Sequence, residues 1–319
     1  MKRRWIHEFI LEGVLIVLCI GLSLKAPGFL TAQNLLGVLR NVSMQGVIAF
    51  GMTMVIIAGE IDLSVGSGAA FAGCVTAWIT EQLTAPIGHW GMIPAISLGI
   101  FVALLAGIFS GCISGVLRAK FGVPTFISTL AWYLVLRGAS GEVTSGFPIT
   151  PFPDGFGALG AGYLWGIPVP AIIFLAVFLL IQFVMSYTTF GRAIYAVGGN
   201  AEAARLSGIP VTAVKIGVMA VVAALTVLAG VMESSQIMAG NPTAAQGWEL
   251  DVIASVIVGG TSLAGGAGRV WGTLVGVVFL GVLLNGMTLM NVSEYRQNIV
   301  RGALILVAVL LNTVLSGRR

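Results

Sequence analysis

Long apolar runs alternate along the chain with short polar or glycine-rich breaks, and the runs have the length of a membrane crossing. Taking ~20 apolar residues per crossing, ten segments qualify: 9–27, 34–58, 63–82, 93–117, 123–140, 168–187, 212–236, 249–264, 270–290 and 297–315. The segments at 63–82, 123–140 and 249–264 are short or glycine-rich, and read equally as broken or re-entrant helices. The pattern predicts an all-α fold: a polytopic transmembrane helical bundle of about ten spans, a single transmembrane domain over 1–319. Two breaks are long. Residues 140–168, rich in Pro, Gly and aromatics, are expected to form an ordered external cap, with a plain flexible loop as the alternative. Residues 187–210 form the longest polar connection on the other side.

Composition agrees with a membrane setting. Hydrophobic residues make up 57% of the chain and charged residues 9%, where a soluble domain carries about a quarter. The start has a basic lead and an apolar stretch without a small-x-small cleavage site, so it is read as a retained first span. The basic residues sort by side. With both termini cytoplasmic, eleven of sixteen lie inside (Lys2, Arg3, Arg4, Arg118, Lys120, Arg192, Arg205, Lys215, Arg269, Arg318 and Arg319) and five outside (Lys25, Arg40, Arg137, Arg296 and Arg301). That excess is what short cytoplasmic loops collect. It also accounts for the net charge of +4 without any nucleic-acid partner.

Inside the 187–210 segment Asn200 is suited to cap a helix, Glu202 sits where the helix dipole favours an acid, and Gly208 followed by Pro210 is a stop. A two-turn helix is marginal alone in water, so it is expected to lean on the membrane, its own bundle or a partner. The stretch "GRAIYAVGGNAEAARLSGIPV" resembles the cytoplasmic coupling loop of ribose/xylose/arabinose/galactoside-type ABC permeases. "GEIDLSVGS", "ISTLAWYLVLRG" and "ELDVIASVIVGGTSLAGGAGRVWGT" resemble that family's other stretches, in the same order over nearly the whole chain. The resemblance implies a multi-pass subunit of the bacterial inner membrane that pairs with a second permease copy or close paralogue. It implies two cytoplasmic ATPase subunits, which carry the ATP and Mg, and an external sugar-binding protein. Gly191, Arg192, Gly199, Asn200, Glu202, Ala203, Ala204, Arg205, Leu206 and Gly208 would then dock on the ATPase.

The chain itself has no phosphate-cradling G-x-x-x-x-G-K-[ST] loop, and "GGTSLAGGAGR" at 259–269 is read as a tight inner connection. His7 and His89, the only histidines, fall on opposite sides, and Cys19, Cys74 and Cys112 lack C-x-x-C spacing. No catalytic residue, metal or cofactor is expected here. Gly107, Gly111 and Gly115, and again Gly268, Gly272 and Gly276, recur every four residues, the pattern of closely packed membrane helices.

The acids ask for individual reasons. Asp62 is placed to cap a helix beginning at Leu63, while Glu60, one residue too early, is the better candidate for a salt bridge or a water-filled vestibule. Glu249 and Asp251 repeat the Glu-x-Asp spacing five spans later, as an inverted repeat of five plus five spans would; as a three-residue match it is also open to coincidence. Asn41, Gln45, Asn285 and Asn298 either line a sugar path or bond across helices. Three functions compete: an ATP-driven sugar importer subunit, an ion-coupled secondary transporter with Glu60 or Glu249 as proton carrier, and an ABC permease for branched-chain amino acids.

Overall fold

The fold is described from a computed structural model, which covers residues 10–87, 91–150, 152 and 155–316. His7, His89 and the terminal basic residues Lys2, Arg3, Arg4, Arg318 and Arg319 lie outside the described residues. A helix stands on each of the ten apolar segments. They are α1 (Ile10–Lys25), α2 (Ala32–Ile57), α3 (Val65–Ile87), α4 (Met92–Phe121), α5 (Thr125–Val143), α7 (Val169–Tyr187), α10 (Val211–Ile237), α11 (Trp248–Val258), α12 (Val270–Leu289) and α13 (Glu294–Ser316). Short elements intervene: α6 (Ala158–Ala161), the antiparallel pair β1 (Tyr163–Leu164) and β2 (Ile167–Pro168), α8 (Thr189–Gly199) and α9 (Ala201–Leu206). Among the described residues five helices are long and apolar enough to cross a membrane: α2, α4 from Ile93, α7, α10 and α12.

Two expected boundaries move, each for a backbone reason. The segment expected at 249–264 is helical for only 11 residues, ~16 Å at 1.5 Å per residue and about half a bilayer core. It stops at Gly259–Gly260, where Gly260 turns to φ +89°. The helix expected from Leu63 starts instead at Val65, after a non-helical run from Glu60 to Ser64. Non-helical backbone among apolar helices needs its polar groups satisfied by protein. Here Thr125 Oγ1 accepts from Ile61 N–H (3.3 Å) and Thr129 Oγ1 from Leu63 N–H (3.1 Å).

The core centres on α2, whose residues are buried continuously from Met44 to Ile57 apart from the half-buried Gln45, as expected of a helix enclosed on all sides. α10 packs on α2, α3 and α4, and α3 also packs on α4 and α5; α2 packs on α7, α11 and α12, and α11 also packs on α12 and α13. The exterior keeps apolar side chains such as Val17, Phe109, Leu134, Phe183 and Leu306 exposed, a surface suited to lipid. Gly107, Gly111 and Gly115 face α10, and a Cβ on Gly115 would stand 2.6 Å from Ile216 Cα. Gly272 and Gly276 lie against the Gly259 and Ser255 carbonyls, and Gly268 against Thr261. In the 140–168 segment Phe152 and Phe156 stack at 4.2 Å, and Ser235 of α10 accepts from Gly160 N–H while donating to Phe156 C=O. The described part of this segment is therefore fastened to α10 as an ordered cap.

Candidate functional site

At the end of α2 the chain turns through Gly59, at φ +79°, and Glu60 N–H donates back to Val55 C=O at 3.0 Å. This turn aims the Glu60 side chain into the protein, where it is 4% exposed. Oε1 accepts from Arg118 Nε at 2.8 Å and from Lys215 Nζ at 2.5 Å; Oε2 accepts from Thr125 Oγ1 at 2.8 Å. The last turn of α4, the first turns of α5 and α10 and the α2–α3 connection thus meet on one carboxylate. A buried acid with two cations and a hydroxyl has its desolvation offset by partners, so the salt-bridge expectation for Glu60 is the one realised. Asp62 does not cap at the expected position. Its Oδ1 accepts from Ser64 N–H (2.8 Å) and Ser64 O–H (2.6 Å), fixing the turn that precedes α3.

The second acid pair stands at the start of α11, where Glu249 meets Gly66 of α3 and Asp251 meets Gln45 at the middle of α2. Asp251, in the first turn of α11, is 6% exposed; Arg301 Nε stands 2.8 Å from its Oδ1, and Gln45 Nε2 donates to its Oδ2 at 3.3 Å. Glu249 Oε2 is buried against Gly66 and accepts no hydrogen bond among the described residues. Beside it Arg137 Nη1 donates to the Pro242 and Ala244 carbonyls at 2.7 and 2.9 Å. Asn41 accepts weakly from Gln236, at 3.4 Å. Asn285 and Asn34 exchange reciprocal amide bonds at 2.8 and 3.0 Å, the cross-helix alternative, and Asn298 is exposed.

The polar 187–210 segment folds as two helices that share Asn200. It ends α8 and caps α9, its Oδ1 accepting from Glu202 N–H (3.0 Å) and Ala203 N–H (2.9 Å); Gly208, at φ +81°, ends the turn. Ala204 is buried, whereas Glu202, Ala203, Arg205 and Leu206 are exposed. Glu202 and Arg205 pair at 2.6 Å, and that bond raises the Arg205 pKa further. On α8 Arg192 is exposed, and Gly191 lies against the Val184 and Met185 carbonyls.

The base of this platform is bolted to the Glu60 turn. Gly198 leaves no room for a Cβ beside Ile57 C=O, the same carbonyl that accepts from Gly266 N–H at 2.8 Å, and Gly199 meets Gly266. Tyr195 O–H donates to Gly268 C=O at 2.9 Å, and burial pushes its phenol pKa up, against the pull of Arg269. The glycine-rich 259–269 loop is therefore a clasp between α8 and α2. Sequence reasoning named neither this junction nor the partners of Glu60. A lone Lys215 inside an otherwise apolar span was the available signal for the latter.

Among the described residues no group of three His, Cys, Asp or Glu side chains could hold a metal ion. The arrangement is that of a helical membrane protein with an exposed two-helix platform at one end, rigidly joined to a buried ion cluster. Residues 34–309 match the family described as "Branched-chain amino acid transport system / permease component", and the chain belongs to it. It is 42% identical over 300 residues to the ribose import permease protein RbsC of Bacillus subtilis (strain 168), covering 93% of this chain and 90% of that one. It is 43% identical over 322 residues to its namesake in Haemophilus influenzae, covering 98% and 97%. The L-arabinose ABC transporter permease protein AraH of Azospirillum brasilense is 38% identical over 299 residues, 94% and 85%. No solved structure matches the chain.

Proposed function

We propose that the chain is the membrane-spanning permease subunit of an ATP-driven importer for a simple sugar, a pentose, hexose or related polyol, in a bacterial inner membrane. The relatives' names support the sugar, and the family's name covers branched-chain amino acid permeases without favouring that substrate here. ATP and Mg belong to two partner ATPase subunits, a second permease completes the pathway, and an external binding protein delivers the sugar. α8 and α9 are the coupling element, which docks on an ATPase through Glu202, Ala203, Arg205 and Leu206.

The observation that carries this reading is the contrast within that platform. Its tip is exposed and offers a charge pair beside an apolar Leu206; its base is joined backbone to backbone to Ile57, three residues from Glu60. A push on the tip therefore reaches the α2–α3 turn through stiff contacts, and both docking and pathway opening bias one two-state element.

Ten crossings with both termini inside go with this reading. Arg118 and Lys215, assigned to the inside, meet on Glu60, while Arg137 and Arg301, assigned to the outside, lie beside Glu249 and Asp251. The matching neighbours of α10 (α3, α4, and α5 behind) and of α2 (α11, α12, and α13 behind) support an inverted repeat of five plus five. The test is reconstitution in proteoliposomes. Uptake of ribose, arabinose or xylose should require the ATPase, ATP and the binding protein, and should ignore an uncoupler. Uptake by this chain alone, driven by an ion gradient, overturns the reading.

A further inference from the structure

A cavity of about 20 Å³ lies where the start of α3 meets α4, α5 and α10, large enough for one water-sized guest. Its chemistry is one-sided. Asp62, 2% exposed, lines it. Of the carboxylate oxygens Oδ1 is taken by the N–H and O–H of Ser64, and Oδ2 accepts no hydrogen bond among the described residues.

Three hydroxyls share the lining, and each has already given its proton away. Ser64 Oγ donates to Asp62 Oδ1 (2.6 Å), Ser110 Oγ to Gly107 C=O (2.8 Å) and Thr226 Oγ1 to Val222 C=O (2.8 Å). A hydroxyl has one proton and two lone pairs, so the lone pairs are what these groups have left to offer.

Counter-charge is missing as well. Arg118 and Lys215 are bound to Glu60, and Arg137, next in sequence to the lining residue Leu136, donates to the Pro242 and Ala244 carbonyls. A buried carboxylate without a compensating charge is costly. An apolar guest would leave that cost in place, and an anion would raise it.

We propose that this cavity is a binding site for one small monovalent cation of sodium's size, held by Asp62 Oδ2 with the Ser110 and Thr226 hydroxyl oxygens. Oxygen-only ligands suit such a hard ion. The bound ion ties the start of α3 to α4 and α10, the two helices that pack through Gly107, Gly111 and Gly115. The site does not depend on the transported substrate.

The test measures Tm of the full chain in lipid nanodiscs in NaCl, KCl or choline chloride at equal ionic strength. Sodium is expected to raise Tm saturably, by about 2–4 °C, with the concentration dependence of a ligand that binds the folded state; choline is expected to do nothing. Asp62→Asn should abolish the response, and Thr226→Val or Ser110→Ala should move half-saturation to higher sodium. Equal Tm in all three salts means that the cavity holds water alone and overturns the proposal, as does a sodium response that survives Asp62→Asn. Should Asp62→Asn not fold, an unchanged half-saturation in both hydroxyl variants overturns it instead.

Discussion

Glu60 and Asp251 are acids of similar burial, at the turn that follows α2 and beside the middle of that helix respectively, yet their surroundings differ in completeness. Glu60 has two cations and a hydroxyl, each within 2.8 Å. Asp251 has one guanidinium, close but out of hydrogen-bond alignment, and one long amide bond. Its neighbourhood also keeps unsatisfied buried atoms, Glu249 Oε2 and Arg137 Nη2. A fully partnered buried acid makes one arrangement deep and stiff, whereas an under-partnered one leaves the local structure free to take water or to rearrange. The Glu60 site is thus built as a joint and the Asp251 site as a yielding one.

Breaking the joint is the severest test of that contrast. Glu60→Ala leaves Lys215 and Arg118 without their acid and should cost about 3–5 kcal/mol, the penalty for stranding a buried charge. Removing both sides, Glu60→Ala with Lys215→Met, should recover part of the loss, so the double-mutant cycle in chemical denaturation should give a coupling well above the error of additivity. An additive cycle would show that the ion pair is not the joint. Gly198→Ala, at the clasp, forces a Cβ into the Ile57 carbonyl and should cost about 1–3 kcal/mol, as overpacking does. It should also lower sugar uptake per ATP hydrolysed more than it lowers protein abundance.

At Asp251 the same kind of damage should do less. Asp251→Asn keeps the Gln45 contact and removes the charge beside Arg301, whose side chain is 25% exposed and can turn to water. The expected loss is about 1–2 kcal/mol, in the range of one buried hydrogen-bond partner. A loss as large as that of Glu60→Ala would erase the distinction between the joint and the yielding site.

How much of this was legible in the chain depends on what each feature rests on. Helix positions follow from runs of apolar residues, a local property, and all ten segments carry a helix. α11 ends early because Gly259–Gly260 breaks the backbone, while the apolar composition of the segment continues past the break. Glu60, one residue too early to cap, reads from sequence as a candidate for a salt bridge or a water-filled vestibule; its partners Arg118, Lys215 and Thr125 come from three other helices, and no single-sequence spacing encodes that meeting. Asp62 shows the converse error: its side chain serves the turn before the helix, but its neighbours Ile61 and Leu63 stay non-helical with their N–H groups taken by Thr125 and Thr129, a tertiary effect. The Gly198–Ile57–Gly266 contact left only glycines as a trace, and glycine by itself does not say which backbone comes close.

The smallest expected effect on stability is also the most informative about function. Glu202→Lys with Arg205→Glu reverses an ion pair whose side chains are 64% and 68% exposed, and exposed pairs contribute little to folding. The swapped pair keeps opposite charges three residues apart on α9, so Tm and membrane abundance should stay at the wild-type values. A partner surface, however, meets the two charges in exchanged places, and charge complementarity governs docking. Binding-protein-stimulated ATP hydrolysis and sugar uptake in proteoliposomes should therefore fall together, while the purified variant remains as stable as its parent. Wild-type uptake by that variant would mean that the charged tip of α9 does not meet the ATPase, and the joint at Glu60 would then have to be driven from another surface.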